Sequence, residues 1–336
     1  MPALVAAFLA TKYSDFRWYL ALLAMIGVAF AHLSLNLFDD YFDYKNAQQG
    51  DRGALEREGF RARTVKCPDL QNGTVTPKQW LLACIIFGLI ACAFGLPILI
   101  IRGIRILFIV LAVAVIGIFY SAPPLKLGYH GLGEIIIGLI FGPALGIGMS
   151  IAAAGEFHAS EVFLSSAIGV LVVNILYVHS VMDYAADQKA GKKTLAWLVG
   201  PKKEELVEET VAEGEEPKKK ADGRYVALGI INFLPYLLVI AGIIFARVSA
   251  QYIICILALP WTVALYVSMW MFKINPFGPV EKKWWYGSFP LWDQIVENKI
   301  DWFMLRWYLA QNISTVFSIL CILSAIIDMM VKMMSL

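Results

Sequence analysis

Long apolar stretches separated by polar connections run through the whole chain. A transmembrane helix needs about 20 predominantly apolar residues. Stretches of that kind lie at 16–44, 79–101, 104–121, 132–153, 161–183, 225–247, 250–272 and 305–331. A further apolar segment, 2–11, is too short to cross a bilayer alone and predicts a short first helix. The pattern therefore predicts an all-α, polytopic membrane bundle of about nine helices, formed by a single domain over residues 1–336.

Composition excludes other classes of protein. Of the 336 residues, 59% are hydrophobic and 16% are charged, and the mean hydropathy is +0.67, which is typical of an integral membrane protein. The net charge of +2, without a basic stripe among aromatic residues, argues against nucleic acid as a partner. The five cysteines lack metal-binding spacing and are expected to be free thiols. Met1 to Ala10 has no basic start and no small-residue cleavage site, so we expect no cleavable signal peptide.

The distribution of basic residues predicts the orientation. Loops 45–78, 122–131, 184–224 and 273–304, together with Arg306, contain 22 of the 28 Lys and Arg residues. Lys and Arg accumulate on the cytoplasmic side of membrane proteins, so we expect these loops in the cytoplasm and the protein in the inner (cytoplasmic) membrane. The last loop is rich in Trp and Tyr, which is typical of a segment at the membrane interface.

An acidic cluster ends the first long apolar stretch. At 100° per residue, a helix would present Asn36, Asp39, Asp40 and Asp43 within an arc of about 100°. Three neighbouring carboxylates are unfavourable beside a membrane unless a cation neutralises them. Mg²⁺ prefers oxygen ligands and typically uses one or two carboxylates plus substrate phosphates. We therefore interpret the cluster as half of a Mg²⁺–diphosphate site; the alternative is a solvated acidic helix end.

A second acidic cluster lies at the end of the stretch 161–183. His179, Asp183 and Asp187 are four residues apart and would share one helix face. His179 is a candidate ligand or base, or else a packing residue with one hydrogen bond. Each acidic cluster is followed by a basic loop, at 45–78 and 184–224. This repetition predicts two pseudo-repeated halves around a central cavity, with the two loops flanking a shared site.

The connection from Tyr120 to Glu134 has turn chemistry. Two prolines stop the preceding helix, and three glycines allow a tight connection. Beyond it, a series of glycines predicts close helix packing at Gly138, Gly142, Gly146 and Gly148.

At these residues the chain resembles the UbiA superfamily of intramembrane aromatic prenyltransferases, most closely its 1,4-dihydroxy-2-naphthoate branch in menaquinone synthesis. The family's Asn-Asp-x-x-Asp motif is similar to Asp39-Asp40-Tyr41-Phe42-Asp43, and its Asp-x-x-x-Asp motif is similar to Asp183-Tyr184-Ala185-Ala186-Asp187. The run Gly191-Lys192-Lys193-Thr194-Leu195-Ala196 resembles the Gly-Lys-Arg-Thr-Leu-Ala run that follows in the family. Tyr120 to Glu134 resembles Tyr-x-x-x-Pro-Leu-x-Leu-Gly-x-x-Gly-Leu-Gly-Glu.

The resemblance implies a nine-helix enzyme that transfers a polyprenyl group from an allylic polyprenyl diphosphate to an aromatic acceptor with Mg²⁺. It implies metal binding by Asp39, Asp40, Asp43, Asp183 and Asp187. It implies catalytic roles for Asp40, Asp43, Asp183 and Asp187. The chemistry of ring prenylation adds His179 as a candidate catalytic base that removes the ring proton. It implies substrate binding by Asn36, Lys45, Arg63, Tyr120, Lys126, Lys189 and Lys193. Membrane lipid would surround the protein, and no obligate protein partner is implied.

Three departures from the family pattern leave the acceptor open. Asp39 replaces the usual Asn, Ala47 replaces a third Asp, and His179-Ser180-Val181-Met182 replaces the Asn-Asn-x-Arg of naphthoate enzymes. We favour 1,4-dihydroxy-2-naphthoate; 4-hydroxybenzoate, a porphyrin or a glycerol phosphate lipid head group are alternatives. Other classes are a cation-coupled transporter and a non-catalytic lipid-binding scaffold. Transporter sites lie near the bilayer midplane, whereas these clusters lie at helix ends beside basic loops.

Overall fold

A computed structural model describes residues 1–45, 68–189, 192–201 and 222–334; for Asp43, Pro68, Gln71, Ala186 and Lys189 it describes the backbone alone. Within these ranges the chain forms helices joined by turns. The α-helices are α1 (Pro2–Ala10), α2 (Trp18–Lys45), α3 (Pro68–Gln71), α4 (Pro77–Arg102), α5 (Ile104–Ser121), α6 (Gly133–Leu139), α7 (Leu145–Ala154), α8 (Ala159–Met182), α9 (Tyr184–Lys189), α10 (Leu195–Val199), α11 (Gly223–Phe245), α12 (Leu259–Ile274), α13 (Trp292–Glu297) and α14 (Asp301–Met334).

The predicted membrane spans are confirmed as helices. In the part of the chain that the structure describes, eight helical segments are long and apolar enough to cross a membrane. Two are composite: a π-helical turn, Ile140–Ala144, joins α6 to α7, and a 3-10 helix, Ala250–Ala258, leads into α12. The predicted short first helix is α1, which has 9 residues. Because α1 is too short to span, a count of nine is reached only by including it.

The π-helical turn arises where Gly142 and Pro143 interrupt the regular hydrogen bonding. Pro143 has no backbone N–H, and Gly142 has non-helical dihedral angles. A Cβ built on Gly142 would lie 2.7 Å from the Gly169 Cα, closer than side chains permit. The glycines therefore let this segment approach α8 through backbone contact, as the sequence predicts.

Two buried apolar clusters hold the bundle together. The larger joins α8, α11, α12 and α14 to α1, and the smaller joins α1, α2 and α7. By contrast, α4 and α5 leave large apolar side chains such as Leu89, Ile100 and Phe108 exposed, as expected for helices that face lipid. Each acidic helix packs mainly on the next spanning helix, α2 on α4 and α8 on α11. This parallel agrees with a repeated plan.

At the end of the bundle far from the acidic clusters, a buried carboxylate joins α1 to α8. Glu161 accepts hydrogen bonds from the Tyr13 hydroxyl and from the His158 backbone N–H, the latter at 2.6 Å. Lys12 forms an ion pair with the same carboxylate. Burial, and then the hydrogen bond to Glu161, raise the pKa of Tyr13 above its ordinary value.

Candidate functional site

The first acidic cluster lies on the last turns of α2, as the sequence predicts. Asp39 and Asp40 are half-buried. The hydroxyl of Ser121, at the end of α5, donates a hydrogen bond to the Asp39 carboxylate. Asp43 continues the helix, but its side chain lies outside the described part of the chain. The cluster is therefore attached to the end of α5, within the connection 120–134.

One turn earlier on α2, Asn36 lies beside His32. The Asn36 Nδ2 is 3.2 Å from the His32 Nε2. The His32 ring makes an edge contact with Phe141, at 5.0 Å between ring centroids. This face of α2 is thus turned toward the π-helical turn.

The second acidic cluster straddles the junction of α8 and α9. Asp183 interrupts the helix, but its backbone carbonyl still accepts a hydrogen bond from the Asp187 N–H at 2.8 Å. The i to i+4 spacing is therefore kept. Asp183 and Asp187 are buried, with 3% and 2% of their surfaces exposed. The His179 Nε2 lies 3.6 Å from the Asp183 Oδ2, so these two side chains share a face.

His179 also contacts the start of α14. Its ring makes an edge contact with Phe303, at 5.1 Å between ring centroids. The aromatic contact and the neighbouring carboxylate together restrict the orientation of the imidazole. His179 is consequently placed between the acidic cluster and the apolar interior.

Tyr120 is seated against the glycines of the connection 120–134. A Cβ on Gly128 would lie 2.8 Å from the Tyr120 ring, and one on Gly133 would lie 2.8 Å from the Tyr120 hydroxyl. The glycines therefore make room for Tyr120 as well as for the turn. Within the same connection, Lys126 adopts a left-handed conformation with φ 43°.

Glu134, which is not among the predicted site residues, ties this connection to the second cluster. Its buried carboxylate accepts a hydrogen bond from the Ser180 hydroxyl at 2.6 Å and from the Leu195 backbone N–H at 3.2 Å. The backbone of His130 also pairs with that of Lys193. The connection thus holds both acidic clusters at one end of the bundle. A lone carboxylate inside a predicted span was the signal that could have identified Glu134.

The predicted cationic contacts are distributed around the same end of the bundle. Lys45 is exposed at the end of α2, with its Nζ 5.0 Å from the Tyr41 ring centroid. Lys193 is exposed beside α10, with its Nζ 5.2 Å from the Trp197 ring centroid. Two further predicted contacts, Arg63 and the side chain of Lys189, lie outside the described residues.

An ion pair between Arg224 and Asp222 lies next to the second cluster, because Arg224 contacts Tyr184, the residue after Asp183. Arg224 stacks on Tyr184, with the guanidinium carbon 4.1 Å from the ring centroid, and its Nη2 lies 2.6 Å from the Asp222 Oδ2. Burial raises the pKa of Asp222, but the hydrogen bonds and charge of Arg224 outweigh it and hold that pKa below its ordinary value. A cavity of about 230 Å³ lies here, lined by Tyr184, Arg224 and Lys273 among others. No predicted site residue lines this cavity.

The donor set suits Mg²⁺ only together with a ligand. Among the described side chains, no three His, Cys, Asp or Glu are grouped closely enough to hold a metal ion by themselves. Each cluster instead offers carboxylate oxygens on one helix end. Mg²⁺ commonly uses one or two carboxylates and completes its octahedron with water and substrate phosphates, so the residues fit a Mg²⁺–diphosphate complex.

In its described residues, the chain is a multi-pass, helical membrane protein with two clusters of carboxylates at one end of its bundle. The sequence profile of the UbiA prenyltransferase family matches residues 1–289 of this chain. The chain therefore belongs to the UbiA prenyltransferase family, a family of transferases.

Curated relatives are similar over about half of this chain. The 1,4-dihydroxy-2-naphthoate octaprenyltransferase of Bacillus subtilis is 27% identical over 60% of this chain and 62% of its own length. The UbiA prenyltransferase domain-containing protein 1 of Dictyostelium discoideum is 31% identical over 49% of this chain and 48% of its own length. The chain thus spans less than two thirds of the length of these relatives.

Solved structures share the fold over nearly the whole chain. A UbiA homologue from Aeropyrum pernix K1 in its apo form has a TM-score of 0.59 at 17% identity, covering 98% of this chain and 96% of that one. A UbiA homologue from Archaeoglobus fulgidus bound to DMAPP and Mg²⁺ has a TM-score of 0.52 at 16% identity, covering 94% of each chain. At these identities the likeness concerns the fold alone.

Proposed function

We propose that this protein transfers a polyprenyl group from an allylic polyprenyl diphosphate to 1,4-dihydroxy-2-naphthoate. The observation that carries the proposal is the connection 120–134, which holds both acidic clusters at one end of the bundle through Ser121 and Glu134. Family membership supports prenyl transfer, and the naphthoate enzyme of Bacillus subtilis supports the acceptor. The Archaeoglobus fulgidus homologue, bound to DMAPP and Mg²⁺, supports a metal–diphosphate site.

Carboxylates from both clusters would hold the metal: Asp40 and Asp43 from α2, with Asp39 and Asn36 beside them, and Asp183 and Asp187 from α8 and α9. When bound there, Mg²⁺ supplies positive charge that neutralises the diphosphate as it departs. Lys45, Lys126, Lys193 and Tyr120, with Arg63 and Lys189, would bind the diphosphate oxygens. Lysine donates charged hydrogen bonds to phosphate, which favour the leaving group as its charge grows.

The chemical step breaks the allylic C–O bond, and its electron pair leaves with the diphosphate. A ring carbon next to an acceptor hydroxyl forms the new C–C bond and then loses its proton. The imidazole of His179 would accept that proton, because the Asp183 carboxylate 3.6 Å away stabilises the imidazolium. Apolar helix faces that lie deeper in the membrane than the acidic clusters would exclude water from the allylic cation and receive the prenyl chain.

The orientation is part of the proposal. The connection 120–134 and the starts of α4 and α11 lie on the side that is rich in Lys and Arg, which the positive-inside rule assigns to the cytoplasm. The site would thus face the cytoplasm from the inner membrane, flanked by loops 45–78 and 184–224 of one domain over 1–336. Both substrates reach such a site, one from the lipid and one from water.

The test is prenyl transfer by the purified full-length protein in detergent, with Mg²⁺ and a labelled polyprenyl diphosphate. 1,4-Dihydroxy-2-naphthoate and 4-hydroxybenzoate are offered in parallel, and product mass reports whether the carboxyl group is lost. Product from the naphthoate alone supports the proposal. Product from 4-hydroxybenzoate alone would replace the acceptor, and absence of Mg²⁺-dependent diphosphate release would refute prenyl transfer.

A further inference from the structure

Glu134 is a buried carboxylate whose described partners are neutral. It is the second residue of α6, has 6% of its surface exposed, and accepts hydrogen bonds from Ser180 Oγ and the Leu195 N–H. Taking a carboxylate out of water is costly unless hydrogen bonds replace its hydration. Ser180 alone would provide one such bond. The second bond comes from a segment that follows the second acidic cluster in sequence.

That segment carries basic side chains directly before α10. Leu195 is the first residue of α10, where backbone N–H groups have no partner inside the helix. Two residues earlier, the backbone of Lys193 pairs with His130 of the connection. The two contacts fix the backbone of the segment 193–195 at both ends, and with it the position from which the Lys193 side chain extends.

The same carboxylate fixes α8. Ser180 lies three residues before Asp183, and its hydroxyl is also 3.1 Å from the Leu176 carbonyl oxygen. Glu134 therefore ties the helix end that carries Asp183 to the segment that carries Lys193. Its two oxygens hold an acidic and a basic part of one site in a fixed relationship.

We propose that Glu134 is a positioning residue. It holds the segment 193–195, which carries Lys193, against the connection 120–134, so that the segment and the connection can bind the same diphosphate. This inference rests on the proposed function for the identity of the ligand. The contact itself does not depend on it. Removal of Glu134 should weaken diphosphate binding and lower kcat/KM.

Three variants separate positioning by hydrogen bonds from other roles. In Glu134→Ala both bonds are lost. In Glu134→Gln the amide oxygen can accept from Leu195, and the amide NH₂ can donate to the Ser180 hydroxyl, which then donates to Leu176. Glu161→Ala is the matched control, because Glu161 is also a buried carboxylate and lies at the far end of α8.

Two readouts are made on the full-length protein in detergent. The first is the rate of disulfide formation between cysteines introduced by His130→Cys and Lys193→Cys, followed by mass spectrometry of the linked peptides. The second is the concentration of inorganic diphosphate, with Mg²⁺, that gives half of the maximal thermal stabilisation. We expect Glu134→Ala to slow the cross-link and to raise the half-saturating concentration by about tenfold, with Glu134→Gln within about threefold of the unsubstituted protein.

The outcomes distinguish this inference from the proposed function. An unchanged cross-linking rate in Glu134→Ala, or an equal loss of diphosphate binding in Glu161→Ala, overturns the positioning role. A loss in Glu134→Gln as large as in Glu134→Ala overturns it as well, because it assigns the effect to charge. If the unsubstituted protein fails to bind diphosphate with Mg²⁺, the proposed function is refuted, whatever the cross-link shows.

Discussion

Ser121, the last residue of α5, donates its hydroxyl hydrogen bond to Asp39 on α2. Asp39 occupies the position where members of the UbiA family usually have Asn. An amide oxygen accepts the same hydrogen bond as a carboxylate oxygen. The contact therefore explains how either residue can hold the end of α2 against the connection 120–134.

This contact predicts the effect of two substitutions at Asp39. Asp39→Asn keeps an acceptor for Ser121 and should retain turnover within about threefold, whereas Asp39→Ala should lose about tenfold in kcat/KM because Ser121 loses its acceptor. Steady-state kinetics with prenyl diphosphate and Mg²⁺ measure both. A loss in Asp39→Asn equal to that in Asp39→Ala would show that the charge of Asp39, rather than its hydrogen bond, is required.

The carboxylates of the two clusters should be needed for chemistry and not for folding. Asp40→Ala and Asp183→Ala are each expected to reduce prenyl transfer by about 100-fold or more, since charge stabilisation of the departing diphosphate is lost. Detergent extraction and the melting temperature report folding.

Asp328→Ala provides the control for this pair. Asp328 accepts a hydrogen bond from Ser249 at 2.5 Å and lies near the end of α14, away from the site. It should keep transfer activity. Near-normal turnover in Asp40→Ala or Asp183→Ala would defeat the assignment of the metal ligands.

Close packing of α8 on the π-helical turn predicts a cost for Gly169→Ala. A Cβ there would collide with the Gly138 carbonyl oxygen and lie 2.9 Å from the Gly142 Cα. Such overpacking costs about 1–3 kcal/mol and should lower the melting temperature. In the control Gly148→Ala the new Cβ would lie 3.6 Å from Ile109 Cγ2, an ordinary contact, so stability should hardly change. Equal melting temperatures for both variants would contradict the predicted collision.

Local pattern predicted the helices well because the bilayer sets a minimum apolar length. The predicted stretch 104–121 begins and ends at the same residues as α5. The tie between Glu134 and Ser180 was not predictable in the same way, since 46 residues separate them and no periodicity encodes which helix ends meet. The interruption of the helix at Asp183 was not predicted either. A spacing of four residues is the same in a continuous helix and in two helices that meet at Asp183 and keep the hydrogen bond from the Asp187 N–H to the Asp183 carbonyl.

The ion pair between Asp222 and Arg224 predicts how stability depends on pH. Arg224 holds the pKa of Asp222 below its ordinary value of 3.8, so the folded state binds this proton less readily than the unfolded state. The stabilisation is complete well above pH 3.8 and is lost as the pH falls through the lower, folded-state pKa.

Asp222→Asn should therefore have a lower melting temperature than the unsubstituted protein at pH 7, and the difference in melting temperature should shrink under more acidic conditions. Thermal melts in a nonionic detergent from pH 7 to about pH 3 measure it, with Asp293→Asn, an exposed carboxylate of α13, as the control. A difference between Asp222→Asn and the unsubstituted protein that stays constant over this range would show that the ion pair does not contribute.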